Sequence, residues 1–138
     1  MKIHPALLTA ILWGICYTGT ERIVKNIDIR AYLAISCGIS TIIFSTWAYL
    51  SNVSISIDST IKVTPWMLLS MLTSCLASYY SVTAVKESGA SYASCIEVSY
   101  PVWVILFAYL LGSPHTMSFN AYIGAALVVV GTVVMLRN

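Results

Sequence analysis

Residues 90–111 read ASYASCIEVSYPVWVILFAYLL and carry a single formal charge, Glu97. A helix needs about 20 mostly apolar residues to cross the hydrocarbon of a bilayer, and this stretch supplies them. Open sheet is excluded there, because lipid leaves exposed backbone N–H and C=O groups without partners. A membrane β-barrel is disfavoured as well, since the run is continuously apolar rather than alternating. Stretches of the same kind recur on both sides. Charges and turn residues cut the chain into five of them, at residues 5–24, 31–50, 65–85, 90–111 and 119–136. The expected fold is an all-α membrane protein with five transmembrane helices, a single domain over residues 1–138.

Composition agrees with that reading. Hydrophobic residues make up 59% of the chain and charged residues 9%, against about a quarter charged in an average soluble domain. So few charges could not cover a water-facing surface. The formal net charge of +2 and the lack of a dense basic patch give no reason to expect nucleic acid. Cys16, Cys37, Cys75 and Cys95 each fall inside an apolar stretch, without the Cys/His pairing of a zinc site, and are read as small packing residues. No small-x-small cleavage site follows the first apolar run, so that run is expected to be a retained helix.

The connections fit the same parsing. Residues 25–30 are short and charged, and residues 86–89 form a tight turn with a glycine. Residues 112–118 contain Gly-Ser-Pro, a strong breaker. Residues 51–64 make the longest connection, polar with alternating Val and Ile, and are expected to be partly extended. Pro65 suits the start of the third helix. One side of the membrane then receives Arg22, Lys25, Arg30, Lys86 and Arg137, the other Lys2 and Lys62. The richer side is expected to be cytoplasmic. This places the N-terminus outside and the C-terminus in the cytoplasm of a cell (inner) membrane protein, with insertion in both orientations as the alternative. Small residues at Ser36, Gly38, Ser40, Gly124, Ala125 and Gly131 are expected to let helices pack closely within the chain.

Glu97 lies about seven residues into its helix, roughly 10 Å along the axis. A carboxylate near a helix centre costs on the order of 2.5–3.5 kcal/mol, so such groups face protein or a watery cavity. There it suits proton exchange or the binding of a cation. Pro101 has no N–H, which deprives the carbonyl four residues earlier, that of Glu97 itself, of its helical partner. Side chain and freed carbonyl therefore belong to one residue, beside a break that can act as a hinge. Broken helices with unpaired carbonyls recur in transport sites. The plainer alternative is that Glu97 bonds to Ser94 or Tyr100 at i−3 and i+3 and serves packing alone.

Trp13, Tyr17, Tyr80, Tyr100 and Trp103 are candidates to line a pocket around that acid, where rings would favour an organic cation. Core packing or interfacial anchoring is the competing account, and Trp66 and Tyr109 near helix ends are read as anchors. Glu21 and Arg22 are read as a solvated helix end, and His4 and His115 as solvated flanks. No phosphate-binding glycine loop, nucleophile elbow or metal-ligand cluster is present, so no enzyme, cofactor or metal is expected.

Several pieces then line up: Trp13-Gly14; Ala84-Val-Lys-Glu-Ser-Gly-Ala-Ser-Tyr-Ala; Glu97-Val-Ser-Tyr-Pro101; Leu110-Leu-Gly; and Gly124-Ala-Ala-Leu-Val-Val-Val-Gly131. In order and spacing they resemble the EamA-type domain of the drug/metabolite transporter superfamily, over about residues 6–136. The resemblance implies a transporter of small organic solutes, often an exporter. It also implies half of a ten-helix inverted-repeat architecture. Ser113 stands where related domains often have an acid after Leu-Gly. The small multidrug resistance proteins are more distantly similar, with an essential glutamate in the first helix. The nearest position here is Cys16, so their mechanism does not carry over.

An odd number of spans puts the two ends on opposite sides, so two copies make an inverted repeat. The expectation is a dimer, either an antiparallel homodimer or a heterodimer with a related subunit, working by alternating access on a small-molecule substrate in contact with membrane lipid. The rival readings are a flippase for a lipid-linked sugar and a non-transporting membrane assembly subunit.

Overall fold

The computed structural model describes residues 5–54, 57–112 and 118–137. Lys2, His4, Ser113 and His115 lie outside the described residues, as does the side chain of Lys62. Helix α1 is Pro5–Ile23, α2 is Ile29–Leu50, α3 is Ile57–Ser88, α4 is Ala90–Glu97, α5 is Tyr100–Leu110 and α6 is Phe119–Leu136. Among the described residues, four segments are long and apolar enough to cross a membrane: Ile29–Leu50, Val63–Ser88, Ala90–Leu110 and Phe119–Leu136. Helix α1, of 19 residues, is more polar because Glu21 and Arg22 occupy its last turns.

Three boundaries differ from expectation. Helix α3 begins at Ile57, so most of the expected 51–64 linker is helical and Pro65 lies inside the helix. The apolar run sets where a helix enters hydrocarbon, not where its backbone bonds start. At about 1.5 Å per residue, 32 residues exceed the ~30 Å hydrocarbon core, so the first turns stand beyond it. The α3–α4 turn narrows to Gly89 alone, whose φ of 84° and ψ of 157° suit a residue without Cβ. The fourth predicted helix is two, because Val98 and Ser99 form a turn between α4 and α5.

That turn has a traceable cause. Ser99 N–H bonds the Ile96 carbonyl (3.1 Å) and Val102 N–H bonds the Ser99 carbonyl (3.2 Å), both i−3 contacts. None of the turn's bonds uses the Glu97 carbonyl, the one that faces the missing N–H of Pro101. Val98 (φ −57°, ψ −15°) and Ser99 (φ −68°, ψ −11°) both stay near helical dihedrals, so the chain tightens there without reversing. The α1–α2 connection ends on Asp28, whose carboxylate accepts the Arg30 N–H at 2.8 Å and caps α2.

Helix α1 packs against α3 and α4, α2 against α3, and α6 against α4 and α5. The core is small and sits where α1 ends beside the α3–α4 turn. It comprises Val24, Val82, Val85, Ala90 and Ala93, with Thr20 buried among them and hydroxyl-bonded to Tyr32 at 2.8 Å. Elsewhere the large apolar side chains are exposed, as lipid or a protein partner permits and water would penalise.

Two packing expectations are corrected. All four cysteines lie on exposed helix surfaces and do not fill the core. A Cβ built on Gly38, Gly124 or Gly131 would meet nothing within 4 Å, so those small residues do not mark close contacts within the chain. In both cases these positions lie on helix faces with no close neighbour among the described residues, which only a sequence-distant register could have disclosed. Glu21 also departs from the solvated role. Its Oε2 accepts the Ala90 N–H at 3.1 Å, while Lys25 reaches its Oε1 at 3.3 Å.

Candidate functional site

Glu97 is the last residue of α4, directly before the broken turn. It is half-buried, and its partner is neither Ser94 nor Tyr100. The Tyr17 hydroxyl on α1 donates to Glu97 Oε2. Ser94 instead turns its hydroxyl to the Ser91 carbonyl at 3.0 Å, and Tyr100 is exposed. The Tyr17 oxygen also lies 3.3 Å from Ser81 Oγ on α3. A phenol has one proton. When that proton goes to Glu97, the Ser81 hydroxyl donates to Tyr17, and a short chain of hydrogen bonds runs Ser81 to Tyr17 to Glu97.

Three helices thus deliver one polar group each. Tyr17 stands at i−4 to Glu21 and i−7 to Val24, so this face of α1 looks onto α3 and α4. Ser81 precedes buried Val85 by four on α3, and Glu97 follows buried Ala93 by four on α4. Trp13, one turn before Tyr17, packs on its ring at 5.9 Å between centroids and 56° between planes. This lies in the range where aromatic pairs attract, and holds the phenol from behind.

The other candidate rings are placed elsewhere. Tyr80 is exposed and pairs edge-on with Tyr79 at 5.7 Å. Tyr100 and Trp103 on α5 are also exposed. None of the three is hydrogen-bonded to Glu97 or ring-paired with Tyr17. Pro101 sits at the start of α5, where its fixed φ is well suited and the missing N–H falls on the turn. Ser81 was not singled out from sequence. Its only signal is the four-residue spacing to Val85, which many membrane serines share with some apolar neighbour.

Among the described residues Glu97 makes no ion pair; the pair that exists joins Lys25 to Glu21. The described residues hold no cluster of three or more His, Cys, Asp or Glu able to bind a metal. A carboxyl with a phenol partner and no paired cation can hold a proton, or a cationic group that displaces the phenol. Two clefts lie away from it. One of about 590 Å³ between α5 and α6 is apolar, lined by Val102, Leu106, Tyr122 and Val130 among others. Another of about 520 Å³ follows Gly14, Thr18 and Gly19 along α1, on a different side of that helix from Tyr17.

Helices of membrane-spanning length, with apolar side chains uncovered over most of their surface and a core confined to one end, define a multi-pass membrane protein. The family model of the EamA-like transporter family matches residues 3–137, nearly the whole chain, and the chain belongs to that family. Its open arrangement fits one half of a two-part transporter. Comparisons with curated proteins and with solved structures give no match.

Proposed function

We propose that this chain is a single EamA-like domain that forms one half of a carrier for a small organic metabolite or drug-like solute, working by alternating access. Glu97 is the group that takes up a proton or the cationic part of the substrate. Tyr17 is the partner that is displaced when it does so. Pro101 supplies the flexible break, and Trp13 backs the tyrosine. Tyr80, Tyr100 and Trp103 line the path only where a second subunit closes it. The observation that carries this reading is the half-buried Glu97 carboxyl, bonded to Tyr17 across the α1–α4 contact and adjoining a turn whose bonds leave its own carbonyl unused.

The same reading calls for a partner. Among the described residues, the chain leaves most of its large apolar side chains uncovered. An antiparallel second copy, or a related subunit of opposite orientation, completes the path. The N-terminus then faces outward and the C-terminus the cytoplasm of the inner membrane. The chain acts as a carrier, not an enzyme.

A tryptophan-fluorescence screen of the reconstituted protein across amines, amino acids and sugars identifies a ligand first. Glu97→Gln should then abolish transport of that ligand in sealed vesicles while membrane insertion is retained. Transport at the original rate would remove Glu97 from the mechanism.

A further inference from the structure

Helix α4 starts without a cap of its own. Its N-cap residue is Gly89, which has no side chain, and the first amide N–H groups of a helix have no partner inside it. The Ala90 N–H is satisfied from another helix, by Glu21 Oε2 at 3.1 Å. A carboxylate there also meets the positive end of the helix dipole.

Glu21 stands one turn after Tyr17 on α1. Ala90 and Glu97 stand two turns apart on α4. The two helices are therefore tied at two points along one contact line: Glu21 to the Ala90 N–H, and Tyr17 to the Glu97 carboxyl. The axial spans differ, about 6 Å on α1 and about 10.5 Å on α4. Side chains on a helix lean toward its N-terminus. If the two helices run antiparallel, as alternating spans require, Tyr17 leans away from Glu21 while Glu97 leans back toward Ala90. Both tilts close the gap. Ala93 stands on α4 between the two ties, in a small buried cluster with Ala90 and with Val85 of α3 against which Tyr17 packs. Small side chains allow sliding, so the ties rather than interlocking set the register.

We propose that Glu21 is a positioning residue for the Glu97 site. By capping α4 from α1 it sets the axial register at which the Tyr17 hydroxyl meets the Glu97 carboxyl. The inference rests on Glu97 being the functional carboxyl but concerns how that group is held. Release of the Glu21 cap lets α4 slide or tilt against α1, and the Tyr17–Glu97 bond opens with it. Lys25 steadies the Glu21 carboxylate from the opposite side.

The test uses the full chain in lipid nanodiscs, with a hydrophobic carbodiimide as probe and mass spectrometry to read adduct formation at Glu97 alone. Tyr17→Phe should speed labelling of Glu97 about fivefold, as losing one hydrogen bond would. Glu21→Ala should speed it by a comparable factor although it is remote from Glu97. Glu21→Gln, which keeps an acceptor oxygen, should stay close to wild type. The Glu21→Ala/Tyr17→Phe pair should label no faster than either single change, since both act through one contact. If Glu21→Ala does not insert, Glu21→Asp, which keeps the charge on a shorter arm, is judged by the same criterion. Unchanged labelling in the Glu21 variants, or effects of Glu21 and Tyr17 that multiply, would overturn the proposal. Labelling is measured whether or not the protein transports, so failure of the carrier reading would show separately, as transport that survives Glu97→Gln.

Discussion

The Tyr17–Glu97 bond is the contact most open to measurement. Tyr17→Phe deletes the hydroxyl and little else, because the ring and its 5.9 Å contact with Trp13 remain. Ser81 loses its neighbour, but it is only half-buried and can turn to another acceptor. Hydrogen bonds between membrane helices average about 0.6 kcal/mol in double-mutant cycles and reach about 1.7. Bonds to charged groups lie near the upper part of the general range, about 1.5–3 kcal/mol. A carboxyl with a phenol donor in an apolar setting belongs at the upper end of the membrane figures. We therefore expect a coupling energy of about 1–1.7 kcal/mol between Tyr17→Phe and Glu97→Leu, which, unlike glutamine, leaves no acceptor oxygen for the phenol. The assay is reversible unfolding in lipid bicelles by steric trapping, on wild type, both single variants and the double variant. The cycle cancels the separate effect on Ser81, because that effect is common to both sides. A coupling energy indistinguishable from zero, with all four proteins inserted and helical, would refute the contact and the site built on it.

Two further outcomes follow from the backbone. Pro101→Ala returns an N–H opposite the Glu97 carbonyl, so α4 and α5 should join through Val98 and Ser99. Hydrogen exchange over residues 98–102 should slow, stability should rise by about 1 kcal/mol, and transport should fall; unchanged exchange would show that proline is not the cause of the break. Gly89→Ala should cost about 1–3 kcal/mol in the same unfolding assay. The added Cβ has room, its nearest neighbour being Glu21 Oε1 at 4.0 Å, so the loss would come from the φ of 84° alone and a loss near zero would mean that this turn relaxes freely.

Much of the fold was legible because the bilayer imposes it. Any segment of about 20 apolar residues must bond its backbone internally, so the apolar runs announced the helices with the right order. The break at Val98–Ser99 was legible through one missing N–H. The start of α3 was not, because residues 57–64 carry the polarity of a loop while their backbone continues a helix beyond the hydrocarbon. The site was half legible. Glu97 was conspicuous by its charge and Tyr17 was among several rings, but choosing Tyr17 over Tyr100 requires the register of α1 on α4. Register between distant helices leaves no trace in the periodicity of either one. Ser81 and the cap supplied by Glu21 were hidden for the same reason.

Exposure has a different meaning on different faces of this protomer. Lipid can cover Ile42, Phe44 or Leu127 at no cost, so their exposure does not distinguish acyl chains from a partner. The uncovered side of Glu97 is another matter. A carboxyl turned to hydrocarbon costs on the order of 2.5–3.5 kcal/mol, while one bond from Tyr17 returns less than that by the membrane figures above. The balance requires water or protein on the remaining side. Tyr100 stands three residues after Glu97 and Trp103 six, both on exposed surface of α5 beside the break. In the proposed carrier, this surface, which pairs a carboxyl unable to face lipid with rings that can face either, is the one that meets water or the second subunit. In that proposed carrier the solute path runs between the two halves at Glu97, away from the apolar clefts along α1 and between α5 and α6.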